Sequence, residues 1–155
     1  MAKTAKYEWL LFLDADVIPI NNNLISNYLK DISTFDQVIY GGIRYQEETP
    51  KQNQLLRWAY GKQREALTAV ERSKEEHLSF LTLNFLIRKT VFDKVIFNEK
   101  IPNLRYEDVL FSFDLKQNNV PVKHIENPVY HLGIESSAIF LEKTRQSVEG
   151  LKYLL

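Results

Sequence analysis

Leu10-Leu11-Phe12-Leu13-Asp14-Ala15-Asp16-Val17 runs four bulky apolar residues into two carboxylates spaced two apart. Four such residues in succession predict a strand buried on both faces. In extended backbone, residues two apart project to the same side, so Asp14 and Asp16 should leave the strand's end together and enter one crevice. Open α/β sheets bind ligands in crevices at the carboxyl ends of parallel strands. Paired carboxylates there suit a hard divalent cation, which prefers carboxylate oxygens and shares its shell with phosphate oxygens. The plainer reading is that aspartate is a common turn former after a strand.

The surrounding chain bounds what such a site can belong to. Its 155 residues are 45% hydrophobic and 12% aromatic, which fits a single domain over 1–155 with a substantial core. Twenty basic residues balance twenty acidic ones, so nothing in the overall charge points to nucleic acid or to a membrane surface. With no cysteine, disulfides and thiolate metal sites are excluded, and a reducing cytoplasm is compatible. The apolar runs are strand-sized and no basic-then-apolar leader precedes them, which leaves peripheral contact as the only membrane association in view.

After the carboxylates, Pro19 and Asn21-Asn22-Asn23 supply a turn and a cap for a helix whose apolar face is Leu24, Ile25, Tyr28, Leu29 and Ile32. Gln37 to Tyr45 reads as a second strand, ended by Glu47 to Pro50, within which the missing side chains of Gly41-Gly42 let a backbone or a ligand approach closely. Gln52 to about Val70 predicts one long amphipathic helix, with Arg57, Lys62, Arg64 and Arg72 solvated on or beyond its polar side. Ser79 to Ile87 is a β-like run, with a short helix over Arg88 to Val95 and a loop over Phe97 to Leu104. A helix opens at Arg105-Tyr106-Glu107-Asp108, with Tyr106, Val109, Leu110 and Phe113 as its apolar stripe. Strands follow over Val120 to Glu126 and Val129 to Gly133, and Ser136 or Ser137 caps a last helix.

Glu107 and Asp108 occupy a first helical turn, where the macrodipole favours acids for stability alone. The same dipole holds a carboxylate ionised, which is the state a general base needs. His131 sits among apolar neighbours, the setting of a hydrogen-bonded core histidine. It becomes a ligand if the cation at Asp16 is real, since imidazole suits manganese. His77 and His124 read as structural.

Taken together, these segments resemble the inverting family 2 glycosyltransferases, which have the nucleotide-sugar GT-A fold. Tyr7-Glu8-Trp9 through Asp16 is similar to the family's apolar strand and its Asp-x-Asp motif. Asn84 within Thr82 to Lys89, followed by Val91-Phe92 and Phe97-Asn98-Glu99, resembles the acceptor-side segment. Glu107-Asp108-Val109-Leu110-Phe111 resembles the Glu-Asp motif opening the catalytic helix, and His131-Leu132-Gly133 the late segment that adds a metal ligand in some members.

The resemblance implies an α/β fold, a mixed sheet flanked by helices. It implies a nucleotide-sugar donor, a saccharide or lipid-linked acceptor, and Mn²⁺ or Mg²⁺ as cofactor, in the cytoplasm or at the inner face of the membrane. Asp14 would lie by the ribose, while Asp16, with His131, would hold the metal against the diphosphate. Asp108 would take the acceptor's proton, Glu107 would orient the acceptor, and Asn84 would line the acceptor side. Family members usually begin with a further βαβ half that binds the base; none precedes Tyr7, so a domain truncated at its N-terminus is expected.

Two alternatives accompany this reading. One is a non-catalytic binding fragment that retains the half-site. The other is a haloacid-dehalogenase-type phosphatase, which the run Leu11 to Val17 also resembles, with Asp14 as nucleophile and Asp16 as acid/base.

Overall fold

The computed structural model describes residues 4–97 and 106–154, the last six by backbone alone, so Asn98, Glu99 and most of the 97–104 loop lie outside the described residues. Among the described residues seven strands form two mixed sheets flanked by helices, an α/β architecture. The larger sheet has the order β1 (Trp9–Leu13), β5 (Asn84–Arg88), β3 (Val38–Tyr40), β6 (Val122–His124). The smaller has the order β2 (Val17–Pro19), β7 (Val129–His131), β4 (Ile43–Arg44).

β5 runs antiparallel to both β1 and β3, and β3 runs parallel to β6, so β1, β3 and β6 share one direction. Each of these three leaves the larger sheet at the same end and continues into a strand of the smaller one. The crossings are Asp14-Ala15-Asp16, Gly41-Gly42 and 125–128. The carboxylates therefore sit at the seam between two sheets, at the carboxyl end of β1.

β1 departs from the expectation of a fully buried strand in a parallel ladder. It is an edge strand whose only ladder is antiparallel, with Trp9 opposite Arg88 and Leu13 opposite Asn84. Leu10 and Phe12 face one core cluster, and Trp9 and Leu11 face the other, which accounts for the unbroken apolar run. Only Leu10 among them is fully buried, because an edge strand is covered on its faces but open along one side.

The helices appear where they are expected but do not all present the expected faces. α1 (Leu24–Asp31) buries Leu24 and Tyr28 and leaves Ile25 and Leu29 exposed. The long helix predicted over 52–70 is broken into a 3₁₀ turn at Gln52–Gln54, α2 (Leu55–Arg64) and α3 (Ala69–Arg72). The break has a chemical cause: Thr68 and Glu71 form a reciprocal capping box, which starts a new helix. Arg72, read as solvated, is 1% exposed. Its guanidinium donates to the carbonyls of Leu67, Gly41 and Ile125 and to His124 Nδ1, and it fills the space that Gly42 (φ +87°) leaves open.

α4 (Lys89–Lys94) follows β5 as expected. In α5 (Glu107–Gln117) the inward residues are Phe111, Ser112 and Leu115, while Val109 and Phe113, assigned to the apolar stripe, are 48% and 52% exposed. Asp108 lies at i−3 and i−4 from Phe111 and Ser112, so it belongs to the stripe that turns inward. α6 (Ser137–Leu154) closes the chain against α2, where the Tyr60 and Phe140 rings meet at 5.2 Å. Among the described residues no helix is long and apolar enough to cross a membrane.

Candidate functional site

Register brings the first two groups together. β2 pairs with β7 so that Val17 lies opposite His131, and the Leu132 amide donates to the Asp16 carbonyl at 2.8 Å. Those ties hold His131 Nε2 3.3 Å from Asp16 Oδ2. Gly133 closes the same corner: a Cβ there would collide with Asp16 Oδ2 and lie 3.3 Å from His131 Nε2. The Asp14 backbone is anchored to the approach of the neighbouring strand β5 by its amide, which donates to the Leu83 carbonyl at 3.1 Å.

Electrostatics brings in the rest. Partial burial pushes the Asp14 carboxyl above its ordinary value; the charges of Asp16 and Glu107 add to this, and His131 opposes it. Glu107, nearly a hundred residues away in sequence, is thus within reach of Asp14 by its charge. Asp108 is also raised, chiefly by burial and further by Glu107 and Glu65. The Val109 amide donates to Asp108 Oδ1 at 2.7 Å and pulls the other way. The helix terminus was expected to favour the ionised form outright, but removal from water outweighs it.

Glu65, at the C-terminal cap of α2, was not anticipated from sequence. It accepts from the Tyr45 hydroxyl and, at 3.0 Å, from Arg57 Nη2. Tyr45 in turn has its hydroxyl 3.3 Å from His131 Nδ1. Contacts thus link Asp16 to His131, His131 to Tyr45 and Tyr45 to Glu65, while the charge of Glu107 acts on Asp14 and those of Glu107 and Glu65 act on Asp108. Glu65 also borders a cavity of about 170 Å³ between α2 and α6, lined with Arg57, Glu135, Phe140 and Lys143.

No family model matches the chain, and no curated protein matches it. Its chemistry is therefore read from these groups. Among the described residues no three His, Asp or Glu side chains gather to cage a cation. Asp16 and His131 do present one carboxylate and one imidazole nitrogen to the same point, beside a position where only glycine leaves room. One carboxylate and one imidazole nitrogen can supply two ligands to a divalent cation, whose remaining positions are commonly taken by phosphate oxygens and water.

Asn84, expected on the acceptor side, proves to be a structural hub. It is fully buried, and its side chain accepts from Tyr28 Oη at 2.8 Å and donates to the carbonyls of Gly42 (2.8 Å) and Asn127 (3.1 Å). These bonds tie the crossing points of the sheets together beneath the site and leave neither amide hydrogen to offer a ligand. His77 and His124 bond backbone carbonyls of Val120 and Glu76, as suits structural histidines.

Proposed function

We propose that the chain belongs to the inverting family 2 glycosyltransferases of GT-A-type fold, and moves a sugar from a nucleoside-diphosphate donor to an acceptor hydroxyl. The observation that supports this reading is the Asp16–His131 corner at the carboxyl end of β1, with the charge of Glu107 acting on both Asp14 and Asp108. An acidic turn able to share a cation with phosphates, together with a half-buried carboxylate on a helix N-terminus, is the equipment such a transfer requires.

Asp14 lies on the donor side, by the nucleotide's ribose, and Asp16 with His131 would hold the cation against the diphosphate. When bound, that cation supplies Lewis-acid stabilisation of the charge on the departing diphosphate. Asp108 accepts the proton of the acceptor hydroxyl as its oxygen attacks the anomeric carbon. The new C–O bond forms on the face opposite the one being broken, so the configuration inverts, and the diphosphate leaves with the bonding pair. Glu107, next to Asp108 in the chain and acting on Asp14 through its charge, orients the acceptor at the meeting of the two substrates.

Calorimetric titration of uridine, guanosine and thymidine diphosphates, with and without Mn²⁺, tests the donor side. Binding of at least one of them that needs Mn²⁺ and disappears in Asp16→Ala is the expected result. Binding of equal strength without metal, or no binding of any of the three, would refute it.

A further inference from the structure

We infer that Tyr45 and Glu65, backed by Arg57, are positioning residues that hold His131 in a single tautomer, with the proton on Nδ1 and the Nε2 lone pair turned towards Asp16. The argument is a count of protons. Tyr45 has one hydroxyl proton, and it is given to Glu65 Oε2. Glu65 is held by Arg57 Nη2 at 3.0 Å, and a carboxylate so paired accepts hydrogen bonds and donates none. The Tyr45 oxygen is left with lone pairs alone to offer His131 Nδ1, 3.3 Å away, so Nδ1 must be the donor. Burial, reinforced by Glu65, holds the phenol far above its ordinary range, so the hydroxyl keeps its proton.

The consequence appears on the ring's other side. A neutral imidazole protonated at Nδ1 has a bare Nε2, and that atom faces Asp16 Oδ2 at 3.3 Å. In this neutral form two acceptors face each other, a conflict that either a proton on Nε2 or a cation shared by Nε2 and Oδ2 removes. The supporting groups are themselves fixed by packing. The Tyr45 and His131 rings meet edge to face at 5.6 Å and 88°, and the Arg57 guanidinium lies 5.5 Å from the Tyr45 ring centre. Gly61 on α2 leaves no space for a Cβ against the Tyr45 ring. A partner that orients a ligating histidine in this way is worth about 10–100-fold in metal affinity.

The role as a ligand-positioning device rests on the metal reading above, but the tautomer is measurable without metal. Ring ¹⁵N shifts of the full chain, metal-free and at a pH above the imidazole range, should show His131 protonated at Nδ1 and bare at Nε2. His131→Gln identifies its signals. Tyr45→Phe keeps the ring packing and removes the acceptor, so His131 should shift towards the Nε2-protonated form while His77 and His124 report an intact fold. Mn²⁺ affinity measured by electron paramagnetic resonance with uridine diphosphate present should fall by about 10–100-fold in the same variant. An Nε2-protonated ring in the wild-type protein, or a tautomer ratio unmoved by Tyr45→Phe, would overturn the assignment. Wild-type protein with the stated tautomer that takes up no Mn²⁺ would overturn the metal reading and the positioning role with it, leaving the proton count intact.

Discussion

Burial and the helix N-terminus act on Asp108 in opposite senses, and burial is the larger. A carboxyl raised in this way is a stronger base once ionised, so activity should depend on the deprotonated form and fall as pH drops through a value raised above 3.8. Stability runs the other way. A folded-state value raised above 3.8 means the folded chain binds the proton more tightly, a contribution present in acid and lost as pH rises through the raised value. At neutral pH the ionised Asp108 therefore costs stability, as active-site groups often do. Asp108→Asn, which can still accept from the Val109 amide, should lower turnover by about 10²–10⁴-fold. Its melting temperature at pH 7 should equal or exceed that of the wild type, and nucleoside diphosphate binding should be unchanged. Steady-state kinetics, calorimetry and thermal melts read the three quantities. A variant that melts earlier and loses donor binding would show Asp108 to be structural.

Gly133 makes the equivalent case for an element, the short β7 and the turn that leaves it. An added methyl group would strike Asp16 Oδ2, the free end of a flexible side chain at the surface, and would not strike the core. Gly133→Ala should therefore leave thermal stability within about 1 kcal/mol of wild type and abolish metal-dependent nucleotide binding, since Asp16 must swing away from His131. Loss of fold with loss of binding would place the glycine's role in the backbone. The elements also show what periodicity conveys. The start of α5 at the Glu-Asp pair was legible because acids and apolar spacing coincide there. Its inward face was not, because α5 carries apolar residues all round, and only the packing of Phe111 and the Ser112 hydroxyl bond to the His77 carbonyl choose between stripes. The chosen stripe turns Asp108 inward. Similarly, the two acidic pairs and His131 stand out in the sequence as letters, whereas Tyr45, Glu65 and Arg57 gain their meaning only from the β4–β7 pairing and the end of α2. No local pattern marks those contacts.

Across the whole molecule, the seam between the sheets is held from below by two polar hubs, Asn84 and Arg72, and the second is sensitive to acid. Arg72 Nε donates to His124 Nδ1 at 3.2 Å, so that nitrogen must be bare and Nε2 must carry the proton it gives to the Glu76 carbonyl at 2.8 Å. The Tyr40 ring packs edge-on against His124, and the charge of His77 adds to that of Arg72. Burial above all, then these cations, lowers the His124 value below 6.5, against the Glu76 hydrogen bond, which raises it. Between the unfolded value and this lower one the unfolded chain binds more protons than the folded chain, so stability should decline as pH falls below about 6.5. The raised carboxyls of Asp14, Asp108 and Asp114 contribute with the opposite sign, and they begin from 3.8, in the carboxylate range. The two effects therefore separate in a difference experiment. Urea unfolding of the wild type and of His124→Asn, whose amide oxygen can replace Nδ1 as acceptor for Arg72, should differ in slope against pH just below 6.5, with the variant the flatter. Identical slopes would move the acid sensitivity away from this hub and leave Arg72 held by its backbone carbonyls alone.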